Sequence, residues 1–140
     1  MPAAEDVGFV VHQWVLKAEN DLLTIENNLK SPEGCPTDTT CFHAQQCAEK
    51  YLKALLVHAG LDFPPTHDMR TLVTLLPEAL RPELTDDEGR RLTRYATVTR
   101  YPGDYEPIPI EEARVAADLA RRVRAAVRSK LPPEALRTAR

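Results

Sequence analysis

The chain has 140 residues, enough for one domain with a real hydrophobic core. Apolar residues make up 43% and charged residues 28%, while an aromatic content of 6% and only 5 glycines argue against a sandwich or barrel and for helices. A net charge of −3 gives no global electrostatic case for nucleic acid, and no apolar run is long enough to span a membrane.

The charge is unevenly spread. Residues 1–109 carry 10 Lys/Arg against 17 Asp/Glu, and residues 110–140 carry 8 against 4. A basic C-terminal helix on an acidic body suggests self-association or an acidic partner as readily as RNA. The three cysteines, Cys35, Cys41 and Cys47, form no C-x-x-C and no signal segment precedes them, so the chain reads as a reduced, cytoplasmic protein. His43 and Cys47 lie four apart on one helix, but two ligands do not close a zinc site, and no metal is expected.

In chain order, Val7, Val11, Trp14, Ala18, Leu22, Ile25 and Leu29 make one stripe of a helix over roughly 6–30. SPEGCP at 31–36 ends it. A second helix is predicted from Thr39 or Thr40 to Ala59, stopped by Gly60, with the stripe Cys41, Gln45, Ala48, Leu52, Leu55 and Ala59. Gln45 thus stands where the pattern expects an apolar residue. After FPPTHDM, Thr66 is placed to cap a third helix with Asp68 in its first turn and Met69, Leu72, Val73, Leu76 and Leu80 on its buried edge. Thr85 and Glu88 have capping-box spacing for a fourth helix, whose inner face is Leu92, Tyr95 and Ala96 and whose basic face is Arg90, Arg91 and Arg94. RYPGDYEPIP at 100–109 is too rich in proline for a helix. The last helix, about 110–131, buries Ala113, Ala116, Ala120, Val123 and Val127 and puts Arg114, Arg121, Arg124 and Arg128 on its outer side. The expected architecture is all-α: a single-domain, up-and-down four-helix bundle with an additional short helix, a core spanning about 7–131, and a frayed tail at 132–140.

Several polar residues have two readings. Gln46, Lys50 and Lys53 share one helix face and Glu49 precedes Lys53 by four, which spacing alone reads as a solvated edge with a pair worth about 0.2–0.5 kcal/mol. A buried Gln45 amide must be satisfied or cost roughly 1–3 kcal/mol, and it serves either a neighbouring helix or a ligand. His67 and Asp68 sit at a helix start, where Asp68 reads as a capping carboxylate and His67 as a structural residue or else a proton shuttle or phosphate contact. Arg94, Arg100 and Tyr101 flank RYPGDY, where arginine offers a phosphate fork and tyrosine a stacking face, although Arg100 could equally pin the loop through Asp68 or Asp104. No Gly-rich phosphate loop, G-x-S-x-G or H-E-x-x-H is present.

HAQQCAEKYLKALLVHAG, FPPTHDMRTLVTLL, RYPGDY and a long alanine-rich helix, in that order, closely resemble the HEPN domain family (higher eukaryotes and prokaryotes nucleotide-binding) over about Val7 to Leu131. The resemblance implies a four- or five-helix bundle, homodimers and a prokaryotic origin. It also implies a minimal nucleotidyltransferase partner in a toxin–antitoxin-like pair. Its ribonuclease branches carry an Arg, four to six residues, then a His; here the first arginine is Arg70 and the last histidine is His67, so that motif is absent. The resemblance therefore implies a non-catalytic module for a nucleotide or RNA, with no cofactor. Gln45, Gln46, Lys50, Lys53, His67, Asp68, Arg94, Arg100 and Tyr101 are its candidate contacts. A degenerate metal-independent ribonuclease using His67 with Arg94 or Arg100, and a purely structural dimeric scaffold, are the alternatives.

Overall fold

The structure, a computed structural model, describes residues 4–97 and 106–137. Among the described residues there are five α-helices: α1 (Ala4–Leu29), α2 (Thr37–His58), α3 (Met69–Leu75), α4 (Asp86–Arg94) and α5 (Ile110–Arg128). No strand occurs among the described residues. The all-α bundle expected from the stripes is what forms, with different proportions: three long helices and two short ones.

α2 is the centre of the bundle. Its sequence reads as a stripe, but Tyr51, Leu52, Leu55 and Leu56 are all buried, together with the small residues Cys41, Ala44, Cys47, Ala48 and Ala54. Each fully buried large side chain contributes about 1.5–3 kcal/mol. α1 lies antiparallel against it: Asn28 bonds Thr40 near one end, Asp21 meets His43 and Lys50 in the middle, and Lys53 stacks over Trp14 near the other. α5 covers another face with Ala113, Ala116, Ala117 and Ala120, whose small side chains let the two backbones approach closely.

The helix ends follow local chemistry. α2 begins at Thr37 behind Pro36, two to three residues earlier than expected. It stops at Gly60, the one described residue with a left-handed φ of 73°. Leu61 N–H bonds Leu56 C=O at 2.9 Å and Gly60 N–H bonds Val57 C=O at 3.0 Å, a Schellman closure. Asp68, rather than Thr66, caps α3 by accepting from Arg70 N–H at 3.0 Å; Thr66 accepts from Asp68 N–H one step earlier. α3 ends before Pro77, so Leu80 falls outside it. The Thr85–Glu88 capping box of α4 is present in both directions, at 3.0 and 3.1 Å. Met69 N–H bonds Thr93 Oγ1 at 3.0 Å and joins the start of α3 to the end of α4, so the two short helices form an antiparallel hairpin.

Two expectations about the C-terminal region are corrected. Arg124 and Arg128 do not share a solvent face with Arg114: Arg124 forks onto Glu19 at 2.7 and 3.1 Å, and Arg128 donates to Tyr51 Oη at 3.2 Å. Residues 133–136 are not frayed. They form a 3-10 turn that packs on α1, with Ala135 buried and His12 Nε2 donating to the Arg137 carbonyl at 2.8 Å. A short apolar side chain beyond a Pro-Pro stop carries no periodic signal, which is why the sequence hides this contact.

Candidate functional site

The polar residues of α2 converge on one carboxylate. Glu49 accepts from Gln45 Nε2 at 2.7 Å, from Lys53 Nζ at 2.9 Å and from His67 Nδ1 at 2.8 Å, while Gln46 Nε2 donates to Gln45 Oε1 at 2.6 Å. His67 reaches it because Gly60 ends α2 and the proline pair carries the chain back along the helix. An ionised carboxylate only accepts, so Nδ1 of His67 carries the proton and Nε2 is left outward on a ring that is 52% exposed. Burial pushes the Glu49 carboxyl up, but the hydrogen bonds from Lys53, His67 and Gln45 outweigh it and hold it below its ordinary value. Lys53 also lies 5.6 Å from the Trp14 and Phe63 ring centroids, within cation–π range. The solvated edge expected from spacing is thus a largely buried network.

Two further carboxylates, both on α1, hold cations the same way. Asp21 bridges His43 Nδ1 at 2.8 Å and Lys50 Nζ at 2.6 Å. Glu19 accepts from Tyr51 and Arg124. Burial raises the Glu19 carboxyl, and the bonds from Arg124 and Tyr51, helped by the charges of Arg124 and Arg128, bring it below its ordinary value. Every buried side-chain nitrogen and oxygen among the described residues has a partner. On α5, Arg121 pairs with Asp118 and Arg122 with Glu88, so much of the basic C-terminal helix is neutralised within the fold.

The α3–α4 hairpin is different. A groove of about 540 Å³ opens beside it, lined by Arg70, Arg90, Arg91 and Arg94 with Thr93, Asp68 and Asp87. Arg90 pairs with Asp87 at 2.6 Å on the surface and Arg70 lies 3.5 Å from Asp86. Arg91 and Arg94 have no salt bridge among the described residues. A second lobe of about 330 Å³ shares Asp68 and Arg70 and is walled by Val73, Leu84 and the threonines 71, 74 and 85.

Of the residues expected at the site, Gln45, Gln46, Lys53 and His67 therefore meet in the Glu49 network, and Lys50 joins Asp21 instead. Asp68 and Arg94 line the groove. Arg100 and Tyr101 lie outside the described residues. Arg70, Arg90 and Arg91 were not among the expected contacts. The last two share with Arg94 the basic face visible in the sequence, but Arg70 is twenty residues away and reaches them only through the hairpin. Among the described residues no three His, Cys, Asp or Glu side chains cluster to hold a metal. Cys47 is buried, its thiol pushed up to about 12 by burial and by the Asp21 and Glu19 charges.

A central helix buried nearly all round, a returning loop that brings a histidine onto its carboxylate and a basic short-helix hairpin define the helical bundle. The family model of the HEPN domain matches residues 11–130, and the chain belongs to that family. It is similar to TT1696 from Thermus thermophilus, whose crystal structure superposes with a TM-score of 0.71 at 29% identity, over 86% of this chain and 98% of that one. No curated protein matches the chain. No helix among the described residues is long and apolar enough to cross a membrane.

Proposed function

We propose that this HEPN chain is a binding module for a phosphate-bearing ligand, a nucleotide or RNA. It would act as a homodimer beside a minimal nucleotidyltransferase, in a toxin–antitoxin-like pair. The observation that carries the binding reading is the α3–α4 groove, where four arginines surround one opening against two aspartates. Guanidinium forks match phosphate oxygens, and their hydrogen bonds to a charged acceptor are about twice as strong as neutral ones. The α2 lysines are weaker candidates, because Asp21 and Glu49 already hold them. Titration of the protein with ATP and with a short oligouridine, at low and at raised salt, tests the reading. Binding of either, weakening as salt rises, is the expected result. If neither binds at low salt, the reading is wrong.

One observation favours a second reading. A buried carboxylate that orients a half-exposed imidazole is the arrangement of a positioned general base, and Glu49 and His67 form it at 2.8 Å. This is the degenerate ribonuclease alternative. It requires RNA cleavage in the presence of EDTA that disappears in His67→Ala and is reduced in Glu49→Gln.

A further inference from the structure

The two large apolar side chains most open to solvent among the described residues, Phe9 at 65% and Leu23 at 57%, both stand on α1, with half-buried Leu16 midway between them. Val11, Val15, Ala18, Leu22 and Ile25 already bury the opposite face of this helix, so the bundle core does not account for the first set. Phe9, Leu16 and Leu23 recur every seven residues, and the amides Gln13, Asn20 and Asn27 recur at the same interval. Merged, the six are spaced alternately four and three apart and make one stripe along the helix. Asp6 and Lys30 are the next positions of the same spacing, one at each end, and no charged residue lies on the stripe between them. Alternating steps of three and four, kept up over three heptads, are those with which one α-helix packs along another.

From this stripe we infer that the outer face of α1 is an interface between two copies of the chain, with the two α1 helices antiparallel about a two-fold axis near Ala18. The inference rests on the homodimer reading above and names its surface. A two-fold interface sets one patch against itself, so a patch of single sign repels its copy and an uncharged one does not. In the antiparallel arrangement the phenylalanine and leucines of one helix run beside those of the other, and the amides beside the amides. Asp6 then faces Lys30 of the second copy at both ends, and both residues are exposed. A parallel pairing would set Asp6 against Asp6 and Lys30 against Lys30, and like charges disfavour it. Of the charged residues flanking the axis, Glu19 is held by Arg124 within its own chain, and the long stem of Lys17 lets its ammonium turn to solvent.

The test is sedimentation equilibrium of the full chain over a range of concentrations. Wild type should dimerise, and Leu16→Asp with Leu23→Asp should be monomeric at the same concentrations. Its helical circular dichroism spectrum should be unchanged, because both positions face away from the core. Asp6→Lys or Lys30→Asp alone places like charges at both ends and should weaken the dimer by about tenfold; the two together should restore it. A dimer that survives the leucine substitutions overturns the α1 assignment and leaves the homodimer reading standing. Failure of the double charge swap to restore what each single swap loses, or single swaps without effect, overturns the antiparallel pairing. A wild type that stays monomeric throughout removes both this inference and the homodimer reading, and leaves the face to a helix of another protein.

Discussion

Positive charge is used in opposite ways on α2 and on α4. Lys50 and Lys53 of α2 reach buried carboxylates of α1 and of their own helix, and each is less than a quarter exposed. The arginines of α4 stand around an open groove, and the pair that Arg90 makes is a surface pair with Asp87. A buried ion pair gains its attraction in low dielectric and exacts a large penalty when one partner is removed, whereas an exposed one is worth about 0–1 kcal/mol. Positive charge thus holds the fold together in one place and stands around an open groove in the other.

The largest expected effect breaks the inward side of this contrast. Glu49→Ala leaves Lys53 unpaired and the buried Gln45 amide without its acceptor, and should lower the stability read by urea unfolding by about 3–5 kcal/mol. A loss under about 1 kcal/mol would mean that the network is solvated after all.

Next in size is an effect of pH. In the folded chain the Glu49 and Glu19 carboxyls sit below their ordinary value of 4.5. Their contribution is therefore complete above the unfolded value and is lost as pH falls through the folded one. Melting temperature should fall as pH is lowered from neutrality to about 3, and the fall should be shallower in Glu49→Gln, which has no carboxyl to protonate. Parallel acid limbs in the two proteins would remove Glu49 from this account.

What the sequence disclosed and what it hid divide along the same lines. Local geometry was legible: the α1 stripe, Gly60 as the α2 stop, the Thr85–Glu88 box and Gln45 as a polar residue inside an apolar stripe all depend on residues a few positions apart. The partners of the polar residues were not. Glu49 and His67 are 18 residues apart, Lys50 and Asp21 29, and Glu19 and Arg124 105. No helical period links such positions, so α2 read as a solvated edge and Arg124 as an outer residue. The groove was half legible, since Arg90, Arg91 and Arg94 share a helix, whereas Arg70 joins them only because Met69 is tied to Thr93.

The smallest expected change in stability belongs to the outward side. Arg91→Ala and Arg94→Ala should each shift unfolding by no more than about 0.5 kcal/mol, as surface substitutions away from buried networks do. That sets up the most direct measurement of the central claim, a calorimetric titration with ATP of three folded proteins: wild type, Lys50→Ala and the Arg91→Ala, Arg94→Ala double variant. The account predicts that the double variant loses about tenfold or more in affinity at nearly unchanged stability, and that Lys50→Ala melts earlier yet binds as the wild type does. Loss of binding in Lys50→Ala with full binding in the arginine variant would contradict it.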